Sequence, residues 1–346
     1  MTKSKYAYVW AIFKGDRYIP GILISSWSIK RTNTKYDLVC MVTHDVSEKA
    51  RKILRKNSIK VIEIPYIQGT TKFKTKRQEE LYNNWLNISY TKWNCLNLTQ
   101  YKKIFLLDAD VIITQNIDYI FDKYKRPAAT FYNPWSYVKR PRLKNFYKHK
   151  KVIKPDLIKK ALTKGGFVAI ATSVLIKPNK KHFEKFKEMI KERKHVEVYT
   201  KNNYSGADEQ SIAYFMSIYD KGPKLSWDQL PQCFQYVPWH RNECCDNRNI
   251  SYKKRRTRIC DKIKVVHFFG EFLVWEINFN KSEFNDLDIF LALIIEFLKK
   301  GNITLKELNL KYPKSIERKI NYESNKYFKV FPKNKEGTIE KLFFNH

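Results

Sequence analysis

The chain alternates between short runs of β-branched or aromatic residues and longer segments whose apolar residues recur every three or four positions. The first pattern suits buried strands and the second amphipathic helices, so their succession predicts an α/β domain. Strands are expected at Tyr6 to Phe13, Leu38 to Thr43, Val61 to Pro65, Lys103 to Leu107, Ala128 to Tyr132, Phe167 to Ile176 and Ile263 to Phe269. Ser47 is placed to open a helix running to Lys56, with Ala50, Ile53 and Leu54 on one face. From Asp208 to Tyr219 the residues Ile212, Phe215, Met216 and Tyr219 follow the i, i+3, i+4, i+7 spacing of a helix face. Phe183, Phe186, Met189 and Ile190 mark another helix, and Phe284 to Leu298 a further one. Two stretches break the rhythm, Trp135 to Gly166 and His240 to Asp261, and are expected as long loops. The resulting organisation is an α/β domain over 1–275 and a helical, basic extension over 276–346 packed on it.

Composition narrows the function classes. Of 346 residues, 67 are Lys or Arg and 34 Asp or Glu, a formal balance of +33. Such an excess first suggests a nucleic-acid partner, with Tyr252 to Arg258 as its patch. The cations are scattered along the chain, however, and most aromatics fall at strand and helix positions that read as core, so no nucleic acid is expected. Lys outnumbers Arg more than threefold and Asn and Ile abound, as AT-rich coding would impose. Six cysteines without a Cys-x-x-Cys pair argue against a disulfide scaffold and structural zinc. The apolar run after Met1 has no small-residue cleavage site, and no stretch approaches the roughly 20 apolar residues of a membrane span, so a cytoplasmic protein without a signal peptide is expected.

Three segments carry chemistry. Lys103 to Ile113 is a buried-strand pattern interrupted by Asp108-Ala-Asp110. Alternate strand residues point to one face, so the two carboxylates can converge on a hard cation at a strand end; the alternative is a pair of helix-capping aspartates. His267 closes another apolar strand and precedes Gly270, which lets backbone approach a ligand. One imidazole with two carboxylates suits Mn²⁺ better than Ca²⁺, with Mg²⁺ as the alternative, although a lone His in an apolar strand also serves as a core residue. Ser205 to Gln210 brings Asp208 and Glu209 to the first turn of a helix, where an ordinary N-cap is the competing reading.

In order and spacing, Tyr18 to Gly21 with Ser25 to Ile29, Leu38 to Leu54, Tyr90 to Tyr101 running into Leu107 to Asp110, and Asn116 to Asp118 resemble the glycogenin family, glycosyltransferase family eight, from about Tyr6 to Trp275. The resemblance implies a Rossmann-like GT-A domain with a mixed, mostly parallel sheet, and a retaining, metal-dependent transfer of a hexose (glucose or N-acetylglucosamine type) from a UDP-sugar. The acceptor would be a hydroxyl of a glycan, protein or small molecule. It implies Asp108, Asp110 and His267 as Mn²⁺ ligands and Tyr18 as the ring stacking on uracil. Lys92 would be the cation near phosphates and sugar, and Asp208 the carboxylate beside the donor sugar. Ile12, Ala109 and Gly270 would join the donor site. A homodimer is compatible with it, and a self-glucosylating primer with Tyr236 or Tyr252 as acceptor is a second outcome. Two departures stand out: Leu273 occupies the place of a lysine expected at the pyrophosphate, and Ile170-Ala-Thr172 replaces a segment that borders the sugar pocket.

Overall fold

A computed structural model describes residues 4–71, 76–132, 151–163, 169–197, 207–235, 264–268, 273 and 275. The expected helix at Phe284 to Leu298, the 276–346 extension, Gly270, Tyr236, Tyr252 and the His240 to Asp261 stretch lie outside the described residues.

The strands are β1 (Tyr6–Ile12), β2 (Asp37–Val42), β3 (Lys60–Glu63), β4 (Lys103–Leu107), β5 (Val111–Ile113), β6 (Ala128–Tyr132), β7 (Val152–Ile153), β8 (Ala169–Ile176), β9 (Trp227–Gln229) and β10 (Val265–His267). The helices are α1 (Ile19–Lys30), α2 (Glu48–Lys56), α3 (Lys76–Leu86), α4 (Ile120–Lys123), α5 (Pro155–Thr163), α6 (Lys180–Lys191), α7 (Lys194–Glu197) and α8 (Ala207–Ser217). Eight strands form one sheet in the order β3-β2-β1-β4-β8-β6-β9-β7. The first four run parallel, β8 is antiparallel to both β4 and β6, and β7 is antiparallel to β9. Only β8 and β7 oppose the common direction, which makes the sheet mixed and mostly parallel, as expected.

Alternation along β1 creates two cores. Tyr8, Trp10 and Ile12 face one layer with α1, α2, β5 and β10, while Ala7 and Val9 face the other. The first layer contains α1, whose residues are buried almost all round; that uniform burial explains why no helical period announced it. Its serines replace lost hydration with internal bonds: Trp10 Nε1 donates to Ser25 Oγ at 3.1 Å, and Ser28 Oγ accepts from Ile113 N at 2.9 Å. In the second layer the small residues of β1 make room for Tyr90 and Trp93 from a 3₁₀ segment, Ser89–Asn97. Trp93 lies edge-on to Phe186 of α6, which meets Phe215 of α8 at 5.5 Å between centroids.

Two expectations are corrected. Between Trp135 and Gly166 the described residues include a strand and a helix, β7 and α5. Pro155 takes the first helical position, where its missing N–H costs nothing, and Ile153, Ile158, Ala161 and Leu162 are buried. The lysine-rich composition masked these few spaced apolar residues. Second, β4 ends at Leu107, so Asp108 and Asp110 do not lie on a strand face but in the tight turn into β5. Neither caps a helix. Asn116 and Asp118 serve the fold: Tyr8 and Thr34 hydroxyls both donate to Asp118 at 2.7 Å, and Asn116 Nδ2 donates to the Thr32 carbonyl, pinning the α1–β2 connection.

Candidate active site

The site is built where β1 and β4 end. The turn after β4 presents Asp108 and Asp110, and β5 then pairs antiparallel with β10, setting His267 opposite Val111. Phe268 N donates to the Asp110 carbonyl at 2.9 Å, locking the two strands together beside the carboxylates. One ligand atom from each of Asp108, Asp110 and His267 can lie within 4.8 Å of the others. His267 Nε2 is 3.5 Å from Asp110 Oδ1, and its other ring nitrogen, Nδ1, is 2.9 Å from Gln235 Nε2. Two carboxylates and an imidazole at this separation are a donor set that suits Mn²⁺ or Mg²⁺.

On the other face, the 89–97 segment delivers Lys92. Its Nζ lies 2.6 Å from Asp208 Oδ2 and 3.2 Å from Asp108 Oδ1, bridging the first turn of α8 to the turn after β4. The Trp93 indole donates to the Asp208 carbonyl at 3.1 Å, so neighbouring residues of one segment anchor both ends of Asp208. Burial disfavours the charge on Lys92, but Asp108, Asp208 and Glu209 outweigh it and hold the ammonium above the ordinary lysine range. Burial, with help from Asp208, pushes Glu209 well above the usual carboxylate range. Burial also raises Asp108 against the pull of Lys92, whereas for Asp110 the neighbouring His267 overcomes burial and lowers the carboxyl. Four carboxyl groups thus gather around one lysine and one histidine, a local excess of negative charge in a chain whose balance is +33.

The third wall comes from α1. Tyr18 is its N-cap, with Pro20 in the first turn, and the residue stays 37% exposed. Trp275 stands edge-on to Tyr18 at 6.0 Å between centroids and donates from Nε1 to the Arg17 carbonyl at 3.2 Å. Gly21 permits this closure: a Cβ there would come within 2.4 Å of the Trp275 ring and 2.6 Å of the Ala109 carbonyl. Ala109 is therefore held against α1 by backbone contact, and Ile12 is buried at the end of β1.

Asp108, Asp110 and His267 are thus brought together as expected, as are Lys92 and Asp208, and Tyr18 stands exposed at the mouth. Leu273 is buried in the apolar cluster of the α1 layer, so no cation arises from that position. Between β6 and β8 the register jumps from Ala129↔Val174 to Phe131↔Ile170, placing a bulge in β8 on the Ile170-Ala-Thr172 stretch. Gln235 is not singled out by the sequence, and Glu209 is read only beside Asp208 in the first helical turn, without a role of its own. Glu209 had a signal, its place beside Asp208 in a first helical turn; Gln235 had none, because a glutamine after a short 3₁₀ turn carries no pattern.

The chain resembles several known proteins. An uncharacterized protein of Acanthamoeba polyphaga mimivirus is 32% identical over 286 residues, covering 81% of this chain and 86% of that protein. Glycogenin-1 of Homo sapiens is 35% identical over 117 residues, 33% of this chain and 32% of its own length, so the chain matches about a third of that relative. The structure of the galactosyltransferase LgtC with donor and acceptor sugar analogs aligns with a TM-score of 0.49 and 16% identity, covering 83% of this chain and 94% of that one. The family model for glycosyl transferase family 8 matches residues 11–155, the stretch that supplies Tyr18, Lys92, Asp108 and Asp110. With that model on the strand ends that build the site, and glycogenins among its relatives, residues 11–155 belong to glycosyl transferase family 8, and the chain is a glycosyltransferase enzyme.

Proposed function

We propose that the enzyme is a metal-dependent, retaining hexosyltransferase that uses a UDP-sugar donor of glucose or N-acetylglucosamine type and a hydroxyl acceptor on a glycan, protein or small molecule. The observation that carries this reading is the convergence of Asp108, Asp110 and His267 within 4.8 Å, with Lys92 ion-paired to both Asp108 and Asp208 beside it. Asp108, Asp110 and His267 would hold the divalent cation, which when bound offsets the charge of the diphosphate and of the departing UDP.

The chain's own groups have separable tasks. Lys92 is a fixed cation facing the region where leaving-group charge accumulates, and preorganised charge aimed at developing charge is usually the largest catalytic contribution. Its partners keep it protonated, so it acts as an electrostatic stabiliser rather than as a base. In double displacement a carboxylate beside the donor sugar is the nucleophile, and in same-face attack, which needs no protein nucleophile, a carboxylate there would stabilise the positive charge that develops on the sugar. Asp208 supports that role because Lys92 and Trp93 hold its two ends. Tyr18 offers an exposed ring at the N-terminus of α1 for the base, backed by Trp275.

The test is UDP release and sugar transfer from a panel of UDP-sugars with Mn²⁺. Asp110→Asn and His267→Ala are each expected to lower turnover at least about 10²–10³-fold, the scale of losing a main electrostatic stabiliser. Retained wild-type turnover in either variant would remove the site assignment.

A further inference from the structure

The Gln235 side chain is directed at His267, the imidazole of the candidate metal-ligand set. It follows the 3₁₀ turn Gln232–Phe234, which is tied to the start of β10 by the Lys264 N to Cys233 carbonyl bond at 2.7 Å. Gln235 and His267 are both buried, 4% and 6% exposed, and their contact at 2.9 Å lies on the ring edge opposite Asp110. The ring is therefore held from both sides, by Asp110 at Nε2 and by Gln235 at Nδ1.

The two ring nitrogens cannot play the same role. A neutral imidazole has one N–H and one lone pair, so Nε2 can act as a ligand only if Nδ1 keeps the proton. That N–H then needs an acceptor, as the second ring nitrogen of metal-bound histidines almost always has. In the present orientation Gln235 turns its amide nitrogen toward Nδ1. This suits the other tautomer, in which the Nε2 proton faces Asp110. A half-turn of the amide exchanges nitrogen for oxygen in nearly the same volume and supplies the acceptor that the ligating tautomer requires. A carboxylate at this place would accept only; an apolar residue could do neither.

We infer that Gln235 is a positioning residue that selects the His267 tautomer: its buried amide sits against Nδ1 and, with its oxygen turned toward the ring, accepts from Nδ1–H when Nε2 binds the cation. The inference rests on the metal-site reading of Asp108, Asp110 and His267, and its test separates the two. Mn²⁺ binding to the full-length chain is titrated by the electron-paramagnetic signal of free Mn²⁺, with UDP present, for wild type, Gln235→Leu and Gln235→Glu. Thermal unfolding is measured in chelator to verify that each variant is folded.

Gln235→Leu is expected to weaken Mn²⁺ binding by about 10–100-fold, the usual cost of losing such a partner. Gln235→Glu, which keeps shape and acceptor, is expected to bind Mn²⁺ at least as tightly as wild type. Wild-type affinity in folded Gln235→Leu, or a loss of affinity in folded Gln235→Glu, overturns the inference while leaving the metal site standing. Should the leucine variant not fold, the glutamate variant decides alone. Absence of Mn²⁺ binding by the wild-type chain overturns the metal-site reading itself, and the inference with it.

Discussion

The two faces of the central sheet solve the same packing problem in opposite ways. On the α1 face the strands supply the aromatic bulk, Tyr8, Trp10 and Phe105, and the covering helix meets it with Ile22, Leu23 and Ile24 together with serines and Gly21. On the other face the strands are small near the centre, at Ala7 and Val9, and the covering 3₁₀ segment brings Tyr90 and Trp93. The difference decides what each layer can deliver to the strand ends. Gly21 in that helix lets its N-terminal turn press against the Asp108–Asp110 turn. A segment anchored by large rings can instead hold a charged residue between them, and that residue is Lys92. The Tyr18 side depends on close approach, the Lys92 side on buried bulk.

Breaking each device should have its own signature. Trp93→Ala removes the bulk of the second layer and the indole bond to Asp208, and should cost about 3–5 kcal/mol of stability, measured by denaturant unfolding. Its neighbour Lys92 is the sharper probe. Lys92→Met should lower turnover at saturating donor about 10²–10³-fold, read in the same UDP-release assay, with unfolding followed in parallel to separate catalytic loss from loss of fold. A small effect on turnover would count against Lys92 as the stabilising cation. On the α1 face, Gly21→Ala forces a methyl into the Trp275 ring and the Ala109 carbonyl, and should destabilise by about 1–3 kcal/mol. UDP affinity should fall with it, measured by calorimetry. Unchanged UDP affinity in that variant would show that the Tyr18 side does not need the close approach.

Much of this was legible from spacing. The strands at Lys103 to Leu107 and Ala128 to Tyr132 appear with the expected bounds, and Ser47 caps α2 through its bond from Ala50 N. Failures have distinct causes. Helix α1 is buried on nearly every side, so the amphipathic period that identifies a helix is absent. Strand β7 and helix α5 hide four buried aliphatic residues among lysines. Strands β5 and β9, three residues each, are too short to carry a period of two.

The sequence by itself determined which residues could bind a cation and roughly where seven of the strands and helices α2, α6 and α8 lie, because periodicity, caps and residue chemistry are local properties of the chain. Only the tertiary structure decided that Lys92, Asp108, Asp208, Gln235 and His267 meet. Their approach depends on the turn after β4, on the pairing of β5 with the distant β10, and on two layers of opposite construction closing over the same strand ends. The tautomer of His267 belongs to that second class. A histidine's proton goes where its neighbours accept it, and its neighbours, Gln235 and Asp110, are chosen by the fold.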